Sequence, residues 1–290
     1  MNSLYILPKF GDRDVKNIKY SELLEVFNAI FNPSNPKTSR LETIHRLINH
    51  LHNVFSMAIK DRYIDHDPSF GLEKEFPTSS RFNLKNQIDT RYAALTTDDE
   101  IREFLKDLKL DNKMQLQTKR AIYLQILCVN RPINTAQAKW ADIDMQNAVW
   151  TIQANEMKTG FIHKVTLSKQ VIAILKEQQL FSGDMKFVFP SLNKDGHIHR
   201  DAISKAIRNI REKDKYKGVA TSHGFRATSR TICSINKAEL YKLGITEEAI
   251  ESVLAHKESN QIKYAYEREK ATLEQKHKLM QWYSDYLLNL

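Results

Sequence analysis

Apolar residues in this chain recur mostly at helical spacing and only briefly alternate as a strand requires. Leu41, Ile44, Leu47, Ile48, Leu51, Val54, Phe55, Ala58 and Ile59 fall three and four apart, which predicts one long amphipathic helix over residues 38–63. A shorter helix is predicted over 21–31. The stretch 76–92, FPTSSRFNLKNQIDTRY, is polar and rich in turn formers, and reads as a linker. Beyond it, LTTDDEIREFLKDL opens a helix with Thr96 or Thr97 as N-cap and acids in its first turn. Residues 117–130 predict a mostly buried helix. Residues 148–154 and 163–167 are β-branched enough to predict two strands around a turn at MKTG. SKQVIAILKEQ reads as a helix and FVFP as a short strand. RDAISKAIRNIREKDKYKG reads as an amphipathic helix with Ala202, Ile203, Ala206, Ile207 and Ile210 on one face and Lys205, Arg208 and Arg211 on another. A helix after His223 and another over about 270–287 complete the pattern. The fold class is therefore mainly α with a small antiparallel β-sheet (α+β), arranged as a helical domain over 1–85, a linker over 86–95 and a second domain over 96–290.

Composition narrows the partners. The chain has 290 residues, a formal charge of +9 and a pI near 9.3. Residues 1–90 carry 12 Lys/Arg against 11 Asp/Glu, and residues 91–290 carry 32 against 24. The capacity to bind an anion thus belongs mainly to the second part. Cys128 and Cys233 sit far apart in apolar stretches, without metal-ligand spacing, so no zinc site and no disulfide is expected. His45, His50 and His52 on the long helix lack a supporting carboxylate pattern and read as solvated or partly packed. No apolar run approaches the ~18 residues of a membrane span, and the N-terminal residues do not resemble a signal peptide. The expected setting is the cytoplasm, associated with the nucleoid.

Several residues could carry chemistry. In HGFR, His223 and Arg226 are three apart at a probable helix start, facing the end where free N–H groups favour an anion. Arg131 follows an apolar helix and precedes Pro132, which suits the first turn of another helix. Lys158 lies at the turn between the two strands. His256, Tyr264 and Tyr266 follow in LAHKESNQIKYAYERE. Taken singly, each has a plainer reading: an Arg packed on an acid, an Arg or Lys turned to solvent, a Tyr half-buried for packing.

Their order is more telling. Arg131, Lys158, HxxR at 223–226, His256 and a late Tyr resemble the catalytic series of the tyrosine recombinases, the phage integrase family. The flanking words RP…AKWADID, ANEMKTGFIHKVTLS, HGFRAT and LAHK…YAYER…MQWYSDYL resemble the branch found in genomic islands and satellite phages. The resemblance is detailed over 97–290. More loosely, ILPKFGDRDVKNIKYSELL and the long helix resemble that branch's core-DNA-binding domain, which the domain over 1–85 would then be. The nucleophile of the branch lies in a word like AAYNRA. That word matches YAYERE and makes Tyr266 the corresponding residue, with Tyr264 a packing neighbour. Two departures stand out. Asn134 occupies a position where the family often has an acid, and the arm-DNA-binding domain expected before ILPKFG is not seen.

The resemblance implies site-specific cleavage and rejoining of double-stranded DNA through a 3′-phosphotyrosyl intermediate. Arg131 and Arg226 would clamp the non-bridging oxygens of the phosphate, supplying the positive charge that a metal would otherwise bring, so neither metal nor cofactor is expected. Lys158 would protonate the leaving 5′ oxygen. His223 would take the tyrosine proton, and His256 would donate a hydrogen bond to the phosphate. The assembly implied is a monomer when free and a homotetramer on two synapsed sites. The C-terminal helix, with Leu279, Met280, Trp282 and Tyr283, would pack on its own domain or on a neighbouring protomer. Two alternatives share parts of this reading: a type IB topoisomerase-like nicking and closing enzyme, and a catalytically inactive DNA-binding remnant.

Overall fold

The structure is a computed structural model that describes residues 2–157, 160–255 and 272–290. The chain divides into two compact units, Met1–Arg91 and Tyr92–Leu290. The first is helical: α1 (Asn2–Tyr5), α2 (Leu7–Phe10), α3 (Tyr20–Ile30), α4 (Leu41–Lys60) and α5 (Ser79–Lys85). Leu23, Val26 and Phe27 of α3 meet Leu41, Ile44, Leu47, Ile48, Leu51 and Phe55 of α4, with Phe10, Leu72 and Phe76 closing the core. Each such side chain contributes about 1.5–3 kcal/mol on burial. Val54 departs from the expected stripe and is exposed. At about 100° per residue it lies some 80° off the centre of the buried face.

The predicted linker is partly structured. Phe76 is buried, and Thr78 accepts a hydrogen bond from the Arg81 N–H to cap α5. The Thr-Ser-Ser run acts as a helix N-terminus there rather than only as a turn.

The second unit contains α6 (Asp98–Leu110), α7 (Leu116–Cys128), α8 (Pro132–Ala136), β1 (Ile143–Asp144), β2 (Val149–Ile152), β3 (His163–Thr166), α9 (Lys169–Ser182), α10 (Ala202–Arg208), α11 (Phe225–Ile235), α12 (Lys237–Lys242), α13 (Glu247–Val253) and α14 (Leu273–Leu288). Thr97 caps α6 through a reciprocal pairing with Glu100. The three strands form one antiparallel sheet in the order β1-β2-β3, with Trp150 opposite Val165 and Ile152 opposite His163. Helix α7 is the central post: Ala121, Ile122, Leu124, Ile126 and Leu127 are all buried, and α9, α10, α11 and α14 pack around it.

Two elements differ from expectation. FVFP is not a strand: Phe187 makes a single bridge to Lys139, and the Val188 N–H reaches the Ala138 carbonyl. Val188 and Phe189 are consecutive and both buried, so no face alternates, and Pro190 has no N–H to extend a ladder. Helix α10 stops at Arg208 instead of running to 218. Asn209 accepts from the Asp214 N–H, Asp111 accepts from the Arg211 N–H at 2.6 Å, and Arg211 and Asp214 adopt left-handed backbone angles.

The C-terminal helix docks on its own unit. Leu279, Met280, Tyr283, Ser284 and Leu287 are buried, and α14 packs on α13, β3, α7 and α6. No helix among the described residues is long and apolar enough to cross a membrane.

Candidate functional site

Helix α7 ends at Val129, whose φ of 47° lies in the left-handed region. A β-branched residue is strained there, at a cost of about 1–2 kcal/mol. The turn aims the Val129 carbonyl at Arg226, whose Nη1 donates to it at 2.8 Å. Two residues on, Arg131 is the N-cap of α8, with Pro132 at the first helical position.

The HGFR turn is held from three sides. The Ser222 N–H donates to Ser204 Oγ of α10 at 3.2 Å. The Thr221 hydroxyl donates to the Ala93 carbonyl and accepts from the Gly224 N–H. Gly224 is the one residue that fits: a Cβ there would lie 1.9 Å from the Ala93 oxygen. His223 stands beside Tyr92, with ring centroids 4.2 Å apart. Beneath both turns, the buried Gln125 donates through Nε2 to the Asn130 carbonyl and to the Ser222 carbonyl. One amide thus ties the segment leading to Arg131 to the segment leading to His223.

The arginines converge at the carboxyl end of α13. The last carbonyls of a helix lack partners within it. Here Arg226 Nη2 donates to the Leu254 carbonyl and Arg131 Nη2 to the Ala255 carbonyl, the latter at 3.3 Å. Ala255 has φ 47°, which turns the chain at this ledge. A third group joins them: the ring of His163, first residue of β3, interacts with the Val253 backbone. That contact favours the protonated ring, as a carbonyl acceptor does. Leu254 and Ala255 therefore receive Arg226 and Arg131 in turn.

The electrostatics follow from this crowding. Burial, reinforced by Arg131, pushes Arg226 down to about 10. Burial, then Arg226 and Arg131, also lowers His223. His163 is pushed down to about 4 by burial, then by Lys276, Arg226 and Arg131, with the Val253 contact working in the opposite direction. Both influences on Arg226 disfavour its charge, and neither comes from a carboxylate. An anion placed among these groups would relieve all of them.

Asn134 is buried, and its Nδ2 donates to the Glu156 carbonyl at 3.4 Å. Glu156 in turn pairs with Lys139. This anchors the segment immediately before Lys158. On the far side, the Gly160 N–H returns to the Met157 carbonyl at 2.9 Å, with Gly160 at φ 74°.

Of the expected site residues, Arg131, His223 and Arg226 are brought together. Lys158, His256, Tyr264 and Tyr266 lie outside the described residues. Sequence reading missed Gln125 and His163. A signal for His163 was present: it alternates with Val165 and Leu167, both buried, on one side of β3. Gln125 carried none, because a polar residue in an apolar helix says nothing of its partners.

The chain is 28% identical over 280 residues to the prophage integrase IntA of Escherichia coli K12, covering 97% of this chain and 62% of that protein. It is 25% identical over 297 residues to the integrase of Enterobacteria phage P4, with 98% and 62% covered. The chain thus spans under two thirds of the length of these relatives. In fold it is similar to a lambda integrase dimer bound to a COC′ core site, with a TM-score of 0.58 and 15% identity, covering 92% of this chain and 69% of that one. Residues 1–75 match the phage integrase central domain. The stretch that holds the paired arginines, the HGFR turn and the carbonyl ledge falls within residues 95–272, which match the phage integrase family, and the chain belongs to that family.

Proposed function

We propose that this chain cuts and rejoins double-stranded DNA at specific sites through a 3′-phosphotyrosyl intermediate on Tyr266. The observation that carries the reading is the anchoring of Arg131 and Arg226 on adjacent carbonyls, which presents two fixed guanidiniums to one anion, with no carboxylate among the described residues neutralising Arg226. Forked, permanently charged donors suit the non-bridging oxygens of a phosphodiester as charge builds in the transition state. The Tyr266 oxygen bonds to phosphorus while the bond to the 5′ oxygen breaks. Lys158 gives that oxygen its proton, and His223 receives the proton of the phenol, whose ordinary pKa near 10 calls for such help. His256 donates a hydrogen bond to the phosphate. In the second half a 5′ hydroxyl attacks the phosphotyrosine, so the bond energy is kept and no ATP is consumed.

The two units are proposed to grip the duplex as a clamp, and four chains to join two sites. A lambda integrase, similar in fold at a TM-score of 0.52, has been described as a tetramer bound to a Holliday junction, and the proposal extends that assembly to this chain. The test is a nicked suicide duplex carrying the junction between the host element and its chromosome. A covalent protein–DNA adduct is expected, lost in Tyr266→Phe and retained in Tyr264→Phe. The reverse pattern moves the nucleophile to Tyr264. Binding without any adduct favours an inactive DNA-binding protein, and relaxation of supercoils without exchange between two sites favours a topoisomerase.

A further inference from the structure

Helix α13 leads directly into the Leu254 and Ala255 carbonyls that receive the arginines, and it is short, seven residues from Glu247 to Val253. One side of it, Ala249, Ile250 and Val253, is buried in the core. Apolar packing is non-directional and by itself leaves such a helix free to slide or turn slightly. The other side carries Glu247 and Glu251, four apart and so one above the other. Both meet one side chain of α11. Arg230 pairs with Glu247 through Nη2 and with Glu251 through Nε, the latter at 2.9 Å. Lys237 of α12 reaches the second oxygen of Glu247 at 3.3 Å.

We propose that Arg230 is a positioning residue of the site: by bracing Glu247 and Glu251 it sets α13 along and about its axis, and so fixes the carbonyls on which Arg226 and Arg131 rest. The inference rests on the recombinase reading for its catalytic consequence, but not for the brace itself.

Three arguments support it. Arg230 lies four residues after Arg226, so the two project from one side of α11 a turn apart. Arg226 holds the Leu254 carbonyl while Arg230 holds the acids at 247 and 251, so α11 grips α13 at both ends. The grips are spread over roughly 10 Å of helix, and together they oppose sliding and rotation. Turning α13 by one residue position, about 100°, would carry Glu251 away from Arg230 and aim the Leu254 carbonyl elsewhere. The second argument is exposure. The side chains are 38% exposed at Arg230 and 32% and 40% exposed at Glu247 and Glu251. Ion pairs this open to water add little to global stability, so what these supply is orientation. The third is charge. Two carboxylates meet the guanidinium of Arg230, whereas Arg226 donates to the carbonyls of Val129 and Leu254. Arg230 is thereby set apart from the arginines offered to the phosphate, and its effect runs through α13.

The experiment compares the full chain with Arg230→Ala, with the double substitution Glu247→Gln and Glu251→Gln, and with all three combined. The first readout is amide hydrogen exchange in the absence of DNA. Arg230→Ala is expected to exchange at least tenfold faster than the parent over residues 247–255, with α7 and α9 unchanged, which reports local opening rather than global unfolding. Equal protection overturns the brace, and so does faster exchange spread evenly over the whole chain. The second readout is single-turnover adduct formation on the suicide duplex at saturating protein, beside the affinity for that duplex. Arg230→Ala and the double glutamine variant are each expected to lose roughly tenfold to a hundredfold in rate, as misplacing a reacting group by about an ångström does. The combined variant should stay within about threefold of Arg230→Ala, because all three changes break one brace. Arg230→Ala should bind the duplex within about threefold of the parent. A rate equal to the parent's in either variant overturns the positioning role. So does a tenfold loss of affinity with a shallower salt dependence in Arg230→Ala, which would make Arg230 a phosphate contact. If the parent itself forms no adduct, the recombinase reading fails, and the exchange measurement still decides the brace.

Discussion

At the scale of single residues, the described part of the candidate site seats its arginines on backbone carbonyls, with no carboxylate among the described residues paired to Arg226. Arg226 uses both ends of its guanidinium, one on Val129 and one on Leu254. A lysine keeps the charge but cannot hold two carbonyls in that geometry. Arg226→Lys is therefore expected to slow adduct formation by roughly 100-fold or more, the loss seen when one transition-state donor is removed. Gel-shift affinity for the duplex should change little beside it. A second prediction concerns pH. The His163 ring is held near 4 in the native protein, below the ordinary value of 6.5, because burial and the neighbouring cations oppose its charge. Between those values the unfolded chain binds the proton and the folded chain does not. Stability is therefore complete above pH 6.5 and falls as pH drops toward 4. His223 is lowered by the same kinds of cause and adds to the slope in the same direction. His163→Gln lacks the first contribution. Between pH 7 and pH 5 urea unfolding should show the parent losing about 2 kcal/mol more than this variant, at about 1.4 kcal/mol per pH unit within the window. Parallel pH profiles would refute that assignment. Arg131, His223 and Arg226 were legible in the sequence through their order along the chain and the resemblance it carries, since each taken singly has a plainer reading. Gln125 was not, since its role depends on the Asn130 and Ser222 carbonyls that only the folded chain brings near, and His163 left only its alternation with Val165 and Leu167.

At the scale of elements, legibility followed the length of each repeat. Helix α4 offers six buried apolar positions in one core, and its existence is plain from spacing alone. FVFP offers four residues, too few to separate a strand from a buried loop anchored at Ala138 and Lys139. The C-terminus of α10 was hidden for another reason: Asp111 and Asn209 capture the backbone beyond Arg208, and these are tertiary and local side-chain contacts that override the remaining apolar period. The functional turns depend on similar contacts. Gly224 sits against the Ala93 carbonyl, so Gly224→Ala must push the 92–95 segment away from the HGFR turn. Its φ of −62° makes the penalty one of space and not of backbone angle. The expected destabilisation is about 1–3 kcal/mol in urea melts, typical of overpacking, with loss of the Thr221 contact to Ala93. Gln125→Leu should cost a similar amount, because the Asn130 and Ser222 carbonyls lose a shared buried donor. The two substitutions act on the same turn from opposite sides. Their combined cost should therefore fall short of the sum, and a double-mutant cycle measures the difference.

At the scale of the whole molecule, each unit has its own core, and the chain between them is exposed. The core of the first unit closes with Phe76, and that of the second begins with Leu95. Between them Leu84, Lys85, Asn86, Gln87 and Asp89 to Tyr92 are exposed. Lys85, at the end of α5, and Arg91, beyond it, are thus exposed sites that trypsin can reach without unfolding either core. Among the described residues, limited digestion is expected to cut there and leave a stable fragment beginning at Asn86 or Tyr92. The cut after Arg91 spares Tyr92 beside His223 and the Ala93 carbonyl under Thr221, so the HGFR turn keeps its supports. The fragment should melt as a single cooperative unit with the unfolding midpoint of the corresponding transition in the intact protein. It also retains most of the excess positive charge: residues 92–290 hold 31 Lys/Arg against 24 Asp/Glu, and residues 1–91 hold 13 against 11. If the clamp proposed above forms, duplex DNA should slow the trypsin cut, and the protection should fade as salt is raised, because phosphate contacts release counterions. Equal cleavage with and without DNA at low salt, where binding is verified in parallel, would mean that the linker stays open on the duplex and that the two units do not close around it.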